Sequence, residues 1–410
     1  MSAPDTPILR PGPGKFKQWL FGRIRAMLPG IFAFFRRFFP IAQIRKIHLV
    51  TLHDDVREVL LTDANFMVPY AEKLDVLMQG YPVFIGMADT PEYRSQLDRL
   101  QSLARPEDMK TLADASRKQA EEIIASSGGE LEVVDGLFRT VTFDVLHDYF
   151  GITPPKGGDL RVWSTRMFEY QFLASDPPLV EEIKWMAPAL LHHIQDILDH
   201  RRAAGDTSEN DLLGRALARQ RAGEEGWDDE FIRTMLSAVM IGGPPQPPMV
   251  LPQAMEQLLR RPQALASAHR AAVAGDEKLT FGHIFEALRF DPISPILPRV
   301  ATRDCVIAEG TKREHKVAKG DKVIAAIQSA MSDPRRIPHP ERFLPTRQDY
   351  EYIHFGLGLH ECFGRHINRA MFPAICAPLL RRYNLRRADG AKGHLSSKGF
   401  FPASLTVNFD

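Results

Sequence analysis

Apolar residues recur every three to four positions through most of the chain, and alternation is confined to a few short runs, so the pattern predicts a mainly α-helical protein with a smaller β region. Near the N-terminus Phe16, Trp19, Leu20, Ile24, Met27 and Leu28 keep helical spacing. Ile31, Phe32, Phe34, Phe35, Phe38 and Phe39 follow Pro29-Gly30, which predicts a pair of helices. Residues 48–53 alternate as a strand, and 54–61 read as a short helix. A further helix opens at Asp89-Thr90-Pro91, with Asp89 or Thr90 as cap and the proline in the first turn, where its missing N–H is harmless. Helical periodicity then returns at 109–125, 135–149, 160–173, 187–202 and 210–221, punctuated by Thr153-Pro154-Pro155 and Asp176-Pro177-Pro178. Asp228 caps an apolar helix over 231–241 that runs into Gly242-Gly243-Pro244-Pro245-Gln246-Pro247-Pro248 and resumes over 249–260. An interior proline costs ~3 kcal/mol through its lost N–H bond and its clash with the preceding turn. Four within five residues require the helix to open, with Pro247 or Pro248 starting the second segment. A helix capped near Thr280 carries Glu286 and Arg289, and strands follow over 300–307 and 323–327.

The 410 residues exceed one usual domain, yet no Gly/Ser linker, low-complexity tract or repeat divides them, so residues 48–410 read as one large body. A net charge near +1 and 44% hydrophobic content give no reason to expect nucleic acid as a partner. Three cysteines, Cys305, Cys362 and Cys376, form no C-x-x-C pair and no even disulfide set, which suggests a reduced, cytoplasmic protein. The adjacent His192 and His193 cannot share a helix face and read as structural. Segment 1–47 departs from the overall charge balance. No acidic residue lies between Asp5 and Asp54, whereas Lys15, Lys17, Arg23, Arg25, Arg36, Arg37, Arg45 and Lys46 are basic. Charges interrupt each apolar run well short of the ~20 residues a spanning helix needs, and no small-residue cleavage site follows a clean apolar run. Two readings stay open: helices lying on an anionic membrane surface, or helices packed on the body with their basic residues solvated.

The densest chemistry lies in Phe355-Gly356-Leu357-Gly358-Leu359-His360-Glu361-Cys362-Phe363-Gly364. Three glycines around one cysteine let the backbone turn sharply and approach a flat object closely. A lone cysteine can also be an inert buried hydrophobe. The order F-G-x-G-x-H-x-C-x-G resembles the heme-binding loop of the cytochromes P450, and every fixed position is filled. That resemblance implies a cytochrome P450-like fold around one heme b (iron protoporphyrin IX), with Cys362 as the iron's thiolate ligand, Phe355 against the ring and Gly356 and Gly364 shaping the loop. It further implies that Arg299 and His360 hold the heme propionates. At Asp89-Thr90-Pro91 the family's D-x-P-x-H-x-x-x-R segment has Tyr93 and Leu97 where His and Arg are usual, so Tyr93 or the adjacent Arg94 is the expected substitute. Glu286 and Arg289 resemble the family's E-x-x-R pair, which Arg342 of Pro340-Glu341-Arg342-Phe343 is expected to join as a structural triad. The broken helix resembles the one that lies over the iron, where A/G-G-x-D/E-T is usual. Gly242 and Gly243 match, and Pro245 and Gln246 replace the acid and the alcohol.

Oxidative chemistry on an apolar, lipid-derived molecule is the implied function. Neither proline nor a neutral amide delivers a proton as a carboxylic acid does, although Gln246 can donate a hydrogen bond beside Gly243. A peroxygenase or hydroperoxide isomerase, which receives oxygen already reduced, is therefore the first expectation. An O2-using monooxygenase fed by a ferredoxin and reductase is the second. A heme binder without turnover is the third, and requires the distal break to close the pocket.

Overall fold

The computed structural model describes residues 6–410, so the first five residues of the 1–47 segment lie outside the described residues. Its N-terminal helix, Lys15–Phe38, is continuous through Pro29-Gly30 rather than a pair. One proline removes a single N–H, and the flanking turns on both sides carry enough apolar spacing to continue. Which side faces the body also differs from the packed reading: Arg25 donates to Asp291 at 2.8 Å and Arg36 to the Ser329 hydroxyl at 2.9 Å, while most of the aromatic residues face outward.

The chain then enters a five-stranded sheet. Strands β1 (Ile41–Ile44) and β2 (Ile47–Val50) form a hairpin with Ile44 opposite Ile47, β3 is Phe66–Met67, β4 Leu297–Ala301 and β5 Lys322–Ala325. Their order is β1-β2-β5-β4-β3, with β2 and β5 parallel and the other pairs antiparallel. Alternation explains β2: His48 and Val50 point into the small core with Val323 and Ala325, whereas Ile47 is exposed. The expected strand over 300–307 is two strands, Leu297–Ala301 and Cys305–Ile307, because a turn intervenes. The expected 187–202 helix begins earlier, at Pro177: Asp176 accepts the Leu179 N–H, and two prolines occupy the first turn, so the cluster starts a helix instead of separating two.

Helices form the remaining bulk around one large apolar core. The Asp108–Ser126 helix lies along Arg365–Leu380, which follows the cysteine loop. Asp228 accepts the Phe231 N–H at 2.8 Å and starts Asp229–Gly242; a break follows, and Pro247–Leu259 resumes with prolines at its start, as the sequence predicts.

The Glu286–Arg289 pair is buried within the Glu277–Phe290 helix, with side-chain exposures of 0% and 1%. Arg289 donates to both Glu286 oxygens, at 3.0 and 2.8 Å. The third member of the triad is Arg347, not Arg342. Arg347 Nε reaches Glu286 Oε1 at 3.1 Å and Nη1 reaches Glu351 Oε2 at 2.8 Å. Arg342 offers only its carbonyl, which accepts from Arg289 at 3.1 Å and from Arg347 at 3.2 Å, while the residue itself is exposed. The Tyr352 hydroxyl completes the carboxylate's shell at 3.1 Å. Since Tyr352 lies three residues before Phe355, this network anchors the entry to the cysteine loop.

Candidate active site

Two glycines shape the loop. Gly356 and Gly358 adopt φ of +71° and +73°, where a Cβ is strained, and a Cβ on Gly358 would also lie 2.9 Å from the Leu60 carbonyl oxygen. Gly364 has an ordinary φ of −75° and caps the Arg365–Leu380 helix; a Cβ there would sit 3.7 Å from Cys362 Sγ. The Cys362 N–H donates to the Phe355 carbonyl at 2.8 Å and closes the loop. Phe355 packs against Phe285, ring centroids 5.3 Å apart. Burial pushes the Cys362 thiol up, opposed by the Gly364 N–H. A thiolate held there therefore needs a cation beside it.

Cys362 lines two adjacent cavities. One is a cavity of about 770 Å³, within the ~300–1,000 Å³ common for small-molecule sites. Its walls include Leu97, Leu100, Phe150, Ala238 and Val239. The other, about 180 Å³, is lined by Phe285, Leu297, Arg299 and Phe355. Tyr70, Gln246, His360, Cys362 and Asn368 border both.

Arg299 faces this space from β4. It is 3% exposed, its Nη1 donates only to the neighbouring Pro298 carbonyl at 3.0 Å, and its Nε is buried without a partner. Among the described residues no carboxylate forms an ion pair with it, and burial lowers its pKa. A buried guanidinium with free donors is built to receive an anion. His360 lies close by, and burial together with the Arg299 charge pushes its pKa down to about 4, so its ring is neutral at pH 7. These residues fit heme b: a thiol for the iron, apolar walls for the ring, and Arg299 with His360 for its carboxylates.

Tyr93 and Arg94 separate. Tyr93 is 1% exposed, donates its hydroxyl to the Leu359 carbonyl and packs edge-on against His360 at 5.9 Å. It thus braces the loop backbone. Arg94 points to solvent and forms a two-bond pair with Asp89 at 2.7 and 2.8 Å, so it is not a propionate ligand. The reason is local: Thr90 caps the helix through the Tyr93 N–H, Tyr93 turns inward, and the next residue is carried about 100° away.

At the distal break, Gly243 lines the larger cavity, and a Cβ there would lie 2.8 Å from the Val239 carbonyl oxygen. The Gln246 N–H bonds Gly243, which leaves the Gly242 carbonyl to the Gln246 side chain: Nε2 donates to it at 2.7 Å. That bond fixes the amide while its second N–H and Oε1 remain free. Among the described residues neither lining contains an Asp, Ser or Thr, and the one carboxylate, Glu361, is paired with Arg365. Sequence reasoning missed Arg347, Tyr352, Tyr70 and Asn368. The R-x-x-x-E spacing of Arg347 and Glu351 was the available signal for the first; no local pattern marks the others.

Over residues 177–404 the chain matches the family model described as Cytochrome P450. It is 27% identical to the steroid C26-monooxygenase of Mycolicibacterium smegmatis over 288 residues, covering 68% of this chain and 67% of that protein. It is 37% identical over 97 residues to a bifunctional dioxygenase-epoxy alcohol synthase of Pyricularia oryzae, covering 24% of this chain and only 8% of that protein. The ligand-free structure of cytochrome P450 TbtJ1 superposes with a TM-score of 0.77 at 25% identity, covering 94% of this chain and 98% of that one.

Proposed function

Since the chain belongs to the cytochrome P450 family and shares its fold and its heme b, we propose that it is a heme-thiolate oxidoreductase that uses a peroxide or an organic hydroperoxide on an apolar, lipid-derived molecule. The observation that carries this reading is the break at 243–246, where the cavity meets Gln246 and no carboxylic acid or aliphatic alcohol. When bound, the heme supplies an iron atom that cleaves an O–O bond. The chain's own residues do the rest. Cys362 Sγ would ligate the metal, Arg299 and His360 would take the carboxylates, and Tyr93 holds the Leu359-His360 backbone in place. Gln246, oriented by its bond to Gly242, presents an amide N–H that positions the oxidant's oxygen and keeps its proton. The apolar walls exclude water from the reacting molecule.

A hydroperoxide needs no external electrons. An unsaturated hydroperoxide and its epoxy alcohol are isomers, so that conversion conserves every atom and electron; oxygen transfer to a C–H bond yields an alcohol from each partner. A relative whose name includes epoxy alcohol synthase, matched over 97 residues, lends this reading support. A second reading, an O2-using monooxygenase fed by a ferredoxin and reductase, is favoured by the likeness to the steroid C26-monooxygenase across two thirds of the chain.

The test compares product formation from an unsaturated fatty acyl hydroperoxide alone with formation from NAD(P)H, ferredoxin, reductase and O2. Hydroperoxide-driven turnover is expected to exceed the reductase-driven rate, and Gln246→Ala should lower it at unchanged heme content. If Gln246 acts as an oxyanion-hole donor does, the loss is ~2.7–4 kcal/mol at the barrier. Robust reductase-driven turnover with inertness toward peroxides would put the monooxygenase reading first.

A further inference from the structure

The N-terminal helix is amphipathic in the opposite sense to a core-packed one. It seats itself on the body through few contacts: Arg25 to Asp291 and the Pro292 carbonyl, Arg36 to Ser329, Gln18 to the Gly399 N–H, and the buried ring of Phe32. Its apolar side faces outward. Phe16 is 72% exposed, Trp19 59%, Met27 56% and Phe38 56%. These rings pack mainly on one another, Phe16 with Trp19 at 5.9 Å and Phe34 with Phe38 at 5.2 Å. The face does not end with the helix. Phe21 stacks at 6.2 Å on Phe400, itself 50% exposed at the tip of the Ser396–Ser404 hairpin.

A helix of 24 residues spans ~36 Å at 1.5 Å per residue. Contiguous apolar surface on that scale marks a site that something covers. The charges around it indicate what. Lys17, Arg23 and Arg37 are exposed on the same helix, and Arg45 and Lys46 on the adjoining β1–β2 turn. Among the described residues none of the five forms an ion pair with a carboxylate, and the sequence from Thr6 to His53 contains no acidic residue. A second copy of the chain would bring the same positive charges face to face. A surface that is negatively charged above an apolar layer matches both features.

We infer that the outward face of the Lys15–Phe38 helix lies on an anionic membrane surface, with its aromatic side chains at the level of the lipid headgroups and Lys17, Arg23 and Arg37 against lipid phosphates. The attachment is peripheral: no helix among the described residues is long and apolar enough to cross a membrane. The proposal is independent of which oxidant the heme site uses.

Co-sedimentation of the heme-loaded full chain with vesicles tests it, using phosphatidylcholine alone and phosphatidylcholine with 30% phosphatidylserine, a composition chosen for the assay at about 0.1 M salt. Binding is expected only to the anionic vesicles, with a blue shift of Trp19 fluorescence that Trp19→Leu removes. A triple charge reversal, Lys17→Glu with Arg23→Glu and Arg37→Glu, should weaken binding at least ~100-fold, as three lost contacts of ~1 kcal/mol each imply. Phe16→Ser with Phe34→Ser should weaken it as well, and both variants should keep the wild-type heme spectrum, which reports an intact body. Equal pelleting of wild-type and charge-reversed protein overturns the inference. So does absence of binding to anionic vesicles, or a concentration-dependent dimer in sedimentation velocity that the Phe16 and Phe34 changes dissolve, since a second copy would then cover the face.

Discussion

Replacing Arg347 by alanine separates the observed scaffold from the one the motif order implies. The Arg347 side chain is 2% exposed and makes hydrogen bonds with Glu286, Glu351 and the carbonyls of Pro338, His339 and Arg342. Truncation leaves the Glu351 carboxylate, 6% exposed, without its cation, and the Pro338 and His339 carbonyls without this donor, while the Arg342 carbonyl keeps Arg289. Removing one partner of a buried ion pair costs about 3–5 kcal/mol because the other charge stays desolvated. Glu286 keeps Arg289, so the loss belongs at the lower end, ~3 kcal/mol. Arg342→Ala removes an exposed side chain and leaves the accepting carbonyl in place; its effect should stay within ~0.5 kcal/mol. Arg347→Lys restores charge without the planar fork and should fall between the two. Urea unfolding of the heme-loaded proteins, followed by far-UV circular dichroism and the Soret band together, measures all three. An Arg342→Ala loss equal to that of Arg347→Ala would show that the wrong arginine has been placed against Glu286.

Arg299→Leu removes a buried cation whose only ligand in the fold is a neighbouring carbonyl, so the heme-free protein should be no less stable than wild type. Heme transfer to an apomyoglobin acceptor should become roughly 10- to 150-fold faster, as loss of a charged hydrogen bond worth ~1.5–3 kcal/mol implies, and an unchanged rate would remove Arg299 from the carboxylate site. His354 donates from Nε2 to the Phe285 carbonyl at 3.1 Å, and burial pushes its pKa down to about 4. Above pH 6.5 both folded and unfolded chains hold it neutral; as pH falls toward 4 the unfolded chain binds the proton first and stability is lost, by on the order of 3 kcal/mol at completion. Denaturant midpoints from pH 7 to 4 should therefore fall less steeply in His354→Gln, and parallel profiles would rule out this histidine as the source.

What the sequence could and could not disclose follows from how far each contact reaches. The cysteine loop is legible because its constraints are consecutive: Gly356 and Gly358 need positive φ, and Cys362 closes back on Phe355 within the same ten residues. Glu286 and Arg289 are legible because i and i+3 share a helix face. The distal break follows from proline chemistry alone, and so could the engagement of Gln246, since Pro244 and Pro245 donate nothing and the Gln246 N–H bonds Gly243, freeing the Gly242 carbonyl four residues back for its side chain. Arg347 was missed because the segment between residues 331 and 350 has no regular period, so proximity to a named motif favoured Arg342 when the irregular backbone delivered the arginine five positions later. The N-terminal helix poses the harder case. Aromatic and basic residues are distributed so that either side could have packed inward, and the choice is made by Asp291 and Ser329, which lie 266 and 293 residues from Arg25 and Arg36. A face selected by partners that remote has no local signature. Once it is selected, the residues left outside are determined, and here they are the aromatic ones.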